Sequence, residues 1–232
     1  MATTINKLDD INGQELLLWV DVETTGLDIK NGEILETGFA ITDTDGITLY
    51  EQYAVIDHDR INVGYNNLRA LDMHSYNGLL ELSLKHHNID EMTDHKHNAG
   101  HEETGTLEQE INELDNILTQ LEHNHNLIHL AGRNPQFDIA WLTAKTNWAR
   151  IAKHYDHRRF DMGAINLFAN YADINDQPAT EEIQNIHRTY ACIYYDIIHY
   201  QKIRAQIKKL KTNEPEQPTA VPSPSPSPSP SA

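Results

Sequence analysis

The stretch LLLWVDVETTGLD, residues 16–28, decides how the chain is read. Glu15 to Val20 form a continuous apolar run behind one acid, the pattern of a buried central strand. The run stops at Asp21, Glu23 follows two residues later, and Thr24-Thr25-Gly26 comes next. Residues i and i+2 of a strand point to one face, so both carboxylates project together from the strand's end. Carboxylates held close repel and raise each other's pKa. A hard divalent cation with oxygen ligands, Mg²⁺ or Mn²⁺, is the natural neutraliser. By itself, D-x-E at a strand terminus reads more simply as two solvated acids; the surroundings decide.

Working outward, EILETGFAIT (33–42) and ITLYEQYAVI (47–56) read as two further strands, and DTDG (43–46) between them is a hairpin signal. Residues 65–84 read as helix with a break at Asn77-Gly78. Residues 85–105 are rich in His, Asp and Gly without a period, and read as loop; His86, His87, His95, His97 and His101 fit no metal-ligand spacing. Thr106 and Gln109 form a capping box ahead of an apolar stripe, Leu107, Ile111, Leu114, Ile117, Leu118 and Leu121. LIHLAG (127–132) reads as a strand, a helix starts near Pro135, RRFDM (158–162) is a short strand and GAINLFANYA a helix. A long helix is predicted over about 179–211, ending in Lys202, Arg204, Lys208, Lys209 and Lys211, which suits a helix C-terminus. Antiparallel strands first, then alternating helices and strands, predict an α/β fold. Its sheet is mixed, with the first three strands antiparallel and helices flanking it.

The chain has 232 residues, one cysteine and a formal net charge of -17. That length supports one domain of ordinary size. The expected organisation is an N-terminal segment (1–14), a domain (15–211) and a Pro-Ser tail (212–232) too poor in apolar residues to bury a core. One cysteine excludes an internal disulfide and a cysteine-based zinc knuckle. No run approaches the roughly eighteen apolar residues of a membrane helix. The first residues lack the basic start and apolar stretch of a signal peptide, so a cytoplasmic protein is expected. The acidity argues against a sequence-independent coat on long nucleic acid, which needs a basic face. Any contact with nucleic acid is then local, short or metal-mediated.

DVETTGLD (21–28) resembles the first motif of the DEDD superfamily of 3′–5′ exonucleases. That superfamily includes proofreading subunits of bacterial DNA polymerases, RNase T and oligoribonuclease. The resemblance, closest to the DEDDh branch, implies an RNase H-like exonuclease fold. It also implies that Asp21 and Glu23 bind catalytic metals, while Thr24, Thr25, Gly26 and Leu27 contact the 3′-terminal nucleotide. LAGRNPQFDIAWL (130–142) is similar to the second motif, G-x-N-x-x-F-D, making Asp138 the third carboxylate with Asn134 and Phe137 in support. The third motif, H-x-x-x-x-D in a late helix, pairs a general-base histidine with a fourth carboxylate. His187-Arg188 matches its start, but Cys192 stands where the acid belongs. Cysteine is a poor ligand for Mg²⁺. Asp196, one helical turn beyond, is the alternative fourth metal ligand. MHSYNGL (73–79) resembles the His-x-x-Ser-Gly-Leu segment of oligoribonuclease, with Asn77 for Ser, and marks His74 for seating short RNA. HYDHRRFDMGAINLF (154–168) resembles the family's next strand, with Asp161 matching. It brings Tyr155 near the tyrosine that oligoribonuclease places across its dimer.

The expectation is a two-metal 3′–5′ exonuclease acting on single-stranded 3′ ends or short oligonucleotides and releasing nucleoside monophosphates, with a homodimer implied by the oligoribonuclease resemblance. The rival is an exonuclease-fold module, weakened at Cys192, that binds nucleic-acid 3′ ends or nucleotides.

Overall fold

The structure is a computed structural model that describes residues 11–61, 68–84, 103–172 and 186–212. The five histidines between 85 and 102, residues 179–185 of the expected long helix, and the tail beyond 212 lie outside the described residues.

β1 (Glu15–Thr24), β2 (Ile34–Asp43) and β3 (Thr48–Ile56) form the expected antiparallel start. Two short helices follow, α1 (Leu68–Tyr76) and α2 (Leu79–Leu82), broken at Asn77-Gly78 as the sequence predicts. Gly78 has φ 79°, the left-handed conformation that favours glycine and reverses the chain between the helices. β4 (Glu103–Gly105) precedes α3 (Leu107–His123), β5 (Leu127–Gly132) and α4 (Pro135–Lys145). The chain closes with α5 (Ala149–Ala152), β6 (Asp156–Asp161), α6 (Met162–Tyr171) and α7 (Thr189–Thr212). Among the described residues, six strands lie in the order β4-β3-β2-β1-β5-β6, with β5 parallel to β1, and β6 parallel to β5.

Three expectations are corrected. β1 does not end at Val20; it runs through both acids to Thr24, because pairing with β2 continues as far as Thr24↔Ile34. β4 lies at the end of the stretch read as loop: three residues pairing with β3 are too few to show a period. The late helix starts at Thr189, so His187 precedes it rather than standing on it.

β1 sorts the molecule into two layers. Its even residues, Leu16, Leu18, Val20 and Val22, join the main core with Leu114, Leu118 and Leu121 of α3 and Trp141 and Leu142 of α4. The capping box of Thr106 and Gln109 starts α3 as expected. Leu17 and Trp19, from the odd face, pack with Met162 and Ala169 of α6 and Ile193, Ile197 and Ile203 of α7. By the two-residue period, Asp21 and Glu23 continue this odd face under the start of α7. The first turn of α7 rests directly on β2. A Cβ on Gly38 would stand 2.6 Å from Cβ of Thr189, so only glycine leaves room.

Leu118 is completely buried. Leu118→Ala is expected to destabilise the fold by roughly 2–5 kcal/mol, read as a lowered denaturation midpoint with unchanged slope.

Candidate active site

β1 brings Asp21 and Glu23 to one spot, and α7 lowers Cys192 onto it. One ligand atom from each of the three lies within 4.8 Å of the others. The Cys192 Sγ faces Glu23 Oε1 at 4.0 Å. The thiol therefore stands where the motif spacing placed the missing acid. Burial, then the charges of Asp21 and Glu23, push it far up, so it stays protonated.

Asp138 enters from α4. The ladder between β1 and β5 ends at Trp19↔Ala131, leaving an open edge on the last residues of β1. The Asp138 Oδ1 accepts from Val22 N at 3.0 Å, supplying the partner that β5 does not. Asp138 is buried, and burial followed by the nearby Asp196 pushes its carboxyl up to about 7, against bonds from backbone amides that lower it. Glu23 rises further, from 4.5 to about 8: burial contributes most, then Glu36 and Asp138, while Arg188 opposes. Asp21 is raised well above the usual carboxylate range by burial, then by Asp138, Glu23 and Asp196.

Asp196 is not part of the trio. Its Oδ1 accepts from Arg133 Nε at 3.0 Å and from a terminal guanidinium nitrogen at 2.6 Å. Arg133 also lies over the Tyr195 ring, 5.4 Å from its centroid. Burial still holds Asp196 up to about 6, with Arg133 pulling the other way. The carboxylate expected to replace the fourth ligand is thus committed to a cation of this chain.

His74 was expected at the substrate, but it is only 1% exposed. Its Nε2 lies 3.1 Å from the Thr24 carbonyl and 3.5 Å from Glu23 Oε2. Burial lowers its pKa to about 4, so the ring is neutral and Nε2–H donates to Thr24 O. His74 therefore fixes the strand that carries Glu23. Thr24 and Thr25 are also occupied locally: Thr24 Oγ1 donates to Gly26 O, and Thr25 Oγ1 accepts from Glu33 N. They shape the turn at buried Gly26, leaving Leu27, 80% exposed, as the outward side chain of the segment. Asn134 is the N-cap residue of α4 with φ 54°, its backbone N–H donating to Asp161 Oδ1, and Phe137 packs 6.3 Å from Trp141, ring centre to ring centre. Tyr155 does not reach outward: its hydroxyl accepts from Trp148 Nε1 of the same chain.

His187 is exposed, with φ 47°, just before α7. The chain after it is anchored by a pair that motif spacing did not reveal. Arg188 donates from Nε and a terminal nitrogen to Glu36 at 2.7–3.1 Å, and Thr189 N donates to Glu36 Oε2 at 2.9 Å. Both side chains are buried. Glu36 sits directly across from Glu23 in the β1–β2 ladder. The available signal was one acid inside the buried strand ILETGFAI, which requires a partner.

No protein-family model matches the chain. It is 26% identical over 198 residues to the mitochondrial oligoribonuclease of Mus musculus, covering 85% of this chain and 76% of the relative. The chain is similar in sequence to oligoribonuclease and shares the fold of exonuclease I. Among solved structures, this exonuclease fold is shared with exonuclease I of Methylocaldum szegediense, at TM-score 0.51 and 12% identity over 84% of this chain. A metal-free E. coli exonuclease I complex with single-stranded DNA is similar at TM-score 0.46 and 12% identity. The chain spans 41% of the length of both solved structures. Among the described residues, no helix is long and apolar enough to cross a membrane.

The raised carboxyls give a pH signature. Glu23 and Asp138 bind protons more tightly folded than unfolded, so metal-free stability is fullest below about pH 4 from these groups. It falls as pH rises towards 7 and 8, where they ionise in the folded state. The expected result is a lower Tm in EDTA at pH 8.5 than at pH 5.5, with a smaller difference in Glu23→Gln.

Proposed function

We propose that this chain is a metal-dependent 3′–5′ exonuclease that removes nucleoside monophosphates from single-stranded 3′ ends or short oligonucleotides. The observation that carries the reading is the meeting of Asp21 and Glu23 on β1 with Asp138, whose Oδ1 accepts from the Val22 amide between them, and burial pushes all three carboxyls upward. Such an oxygen donor set fits a hard divalent cation, Mg²⁺ or Mn²⁺. In this reading Asp21, Glu23 and Asp138 hold a two-cation site; the protonated Cys192 thiol is no ligand for a hard ion. Bound there, a divalent cation lowers the pKa of water and stabilises charge on the departing 3′ oxygen.

The remaining work falls to the chain itself. His187, exposed just before α7, accepts the proton of the attacking water as general base. Thr24, Thr25 and Gly26 build a rigid turn that presents Leu27 to the terminal nucleotide. Asn134 and Phe137 hold the start of α4 and so the position of Asp138. A short or single-stranded substrate agrees with the charge of -17, which disfavours a long polyanion. The name of the sequence relative, an oligoribonuclease, supports the same reaction class. A homodimer and a cytoplasmic location belong to the same reading, as does the division into an N-terminal segment, a domain and a tail.

A second reading is favoured by one specific observation: Cys192 fills the fourth position, and Asp196 is engaged by Arg133. A site lacking its fourth acid would bind a 3′ end or nucleotide and turn over slowly.

Labelled dinucleotides and a longer single strand, incubated with Mg²⁺, Mn²⁺ or EDTA, separate the two. The exonuclease reading expects metal-dependent mononucleotide release, lowered about a hundredfold or more by Asp21→Asn. Activity unchanged in Asp21→Asn would refute it, and binding without product would establish the module. Cys192→Asp is expected to raise kcat, because it restores an oxygen ligand.

A further inference from the structure

We propose that Asn77 is a positioning residue that sets the backbone of His187 for proton transfer. The inference rests on reading His187 as the proton acceptor. His187 holds a left-handed backbone, φ 47°, that residues other than glycine seldom adopt unless the surroundings impose it. On its C-terminal side, Glu36 takes Arg188 and the Thr189 amide, as described above. Asn77 Nδ2 donates to the carbonyls on either side of the His187 Cα, Ile186 O at 3.1 Å and His187 O at 2.9 Å. A carboxamide nitrogen carries two hydrogens, enough for both acceptors. The Asn77 Oδ1 accepts from Leu79 N at 3.1 Å. These contacts also settle which way the amide faces, since a flipped amide would set oxygen against two carbonyls and nitrogen against an N–H.

The amide is itself tied to the rest of the site. Asn77 N donates to Met73 O, continuing the helical ladder of α1, so Asn77 lies three residues along the same face as His74. His74 bonds the Thr24 carbonyl beside Glu23. Leu79, completely buried against Leu35 and Val55, pins the turn to β2 and β3. One helical turn therefore references the His187 segment to the strand that carries the acids. Asn77 is also where MHSYNGL departs from the His-x-x-Ser-Gly-Leu pattern. A serine there would offer one donor in place of two.

The test is steady-state hydrolysis of a labelled dinucleotide by the full chain in Mn²⁺, together with Tm and the NMR resonances of the His187 imidazole. The variants are Asn77→Ala, Asn77→Ser, His187→Ala and the double variant His187→Ala/Asn77→Ala. Asn77→Ala is expected to lower kcat roughly tenfold, the scale of two lost side-chain bonds, with KM within about twofold. It should also shift the His187 resonances, a readout that survives if turnover is slow. Asn77→Ser should fall between wild type and Asn77→Ala, and serves alone if Asn77→Ala does not fold. On the His187→Ala background, Asn77→Ala should change kcat by less than about twofold, because both act through one group. An unshifted His187 resonance with wild-type kcat in Asn77→Ala would overturn the proposal. So would an equal tenfold loss on the His187→Ala background. Wild-type kcat in His187→Ala is a different failure: it removes the general-base reading itself.

Discussion

Everything around this site follows from placing acids under a helix. The odd face of β1 begins as a packing surface, with Leu17 and Trp19 against α6 and α7, and ends in Asp21 and Glu23 without leaving that layer. Ionised carboxylates in such a place are costly unless each finds a compensating charge. Two of the neighbouring acids find one in the chain, Glu36 with Arg188 and Asp196 with Arg133. Asp21, Glu23 and Asp138 are left to be balanced by protons or by a cation. Their raised carboxyls are the first solution; the proposed function is the second.

The supports of the site read as consequences of the same constraint. The buried His74 is neutral because an imidazolium would cost more there than the single bond to Thr24 returns. Asp138 takes an amide of β1 beyond the end of its pairing with β5, so the end of that ladder becomes an attachment point. The Arg188–Glu36 pair sets the entrance of α7 against β2. Its register matters because Cys192 lies on the first turn of that helix, directly over Glu23. Breaking such a pair by removing one partner would leave a buried charge uncompensated, which is why the two residues act as a unit.

Much of this was legible in the sequence where a period or a motif carried it. The two-residue period of a strand placed Asp21 and Glu23 on one face, and the capping box and apolar stripe placed α3. Motif spacing set Cys192 at the fourth acidic position, and the structure finds its thiol there. What stayed hidden depended on contacts distant in sequence. Glu36 and Arg188 lie 152 residues apart, so no local pattern links them. Arg133 looked like a spacer within the second motif, yet it captures Asp196. The left-handed turn at His187, directly before α7, is set by tertiary bonds rather than by composition. β4 has too few residues to show alternation. The continuation of β1 past Val20 was missed because burial, rather than hydrogen bonding, was the signal used to end it.

In the proposed function, the acid cluster holds protons which a divalent cation displaces. Titration calorimetry with Mn²⁺ at pH 7, repeated in two buffers of different ionisation enthalpy, counts those protons directly. The expected result is saturable binding to wild type with net proton release, both strongly reduced in Asp21→Asn. Failure of Mn²⁺ to bind, or binding of equal strength in Asp21→Asn with no proton released, would contradict it.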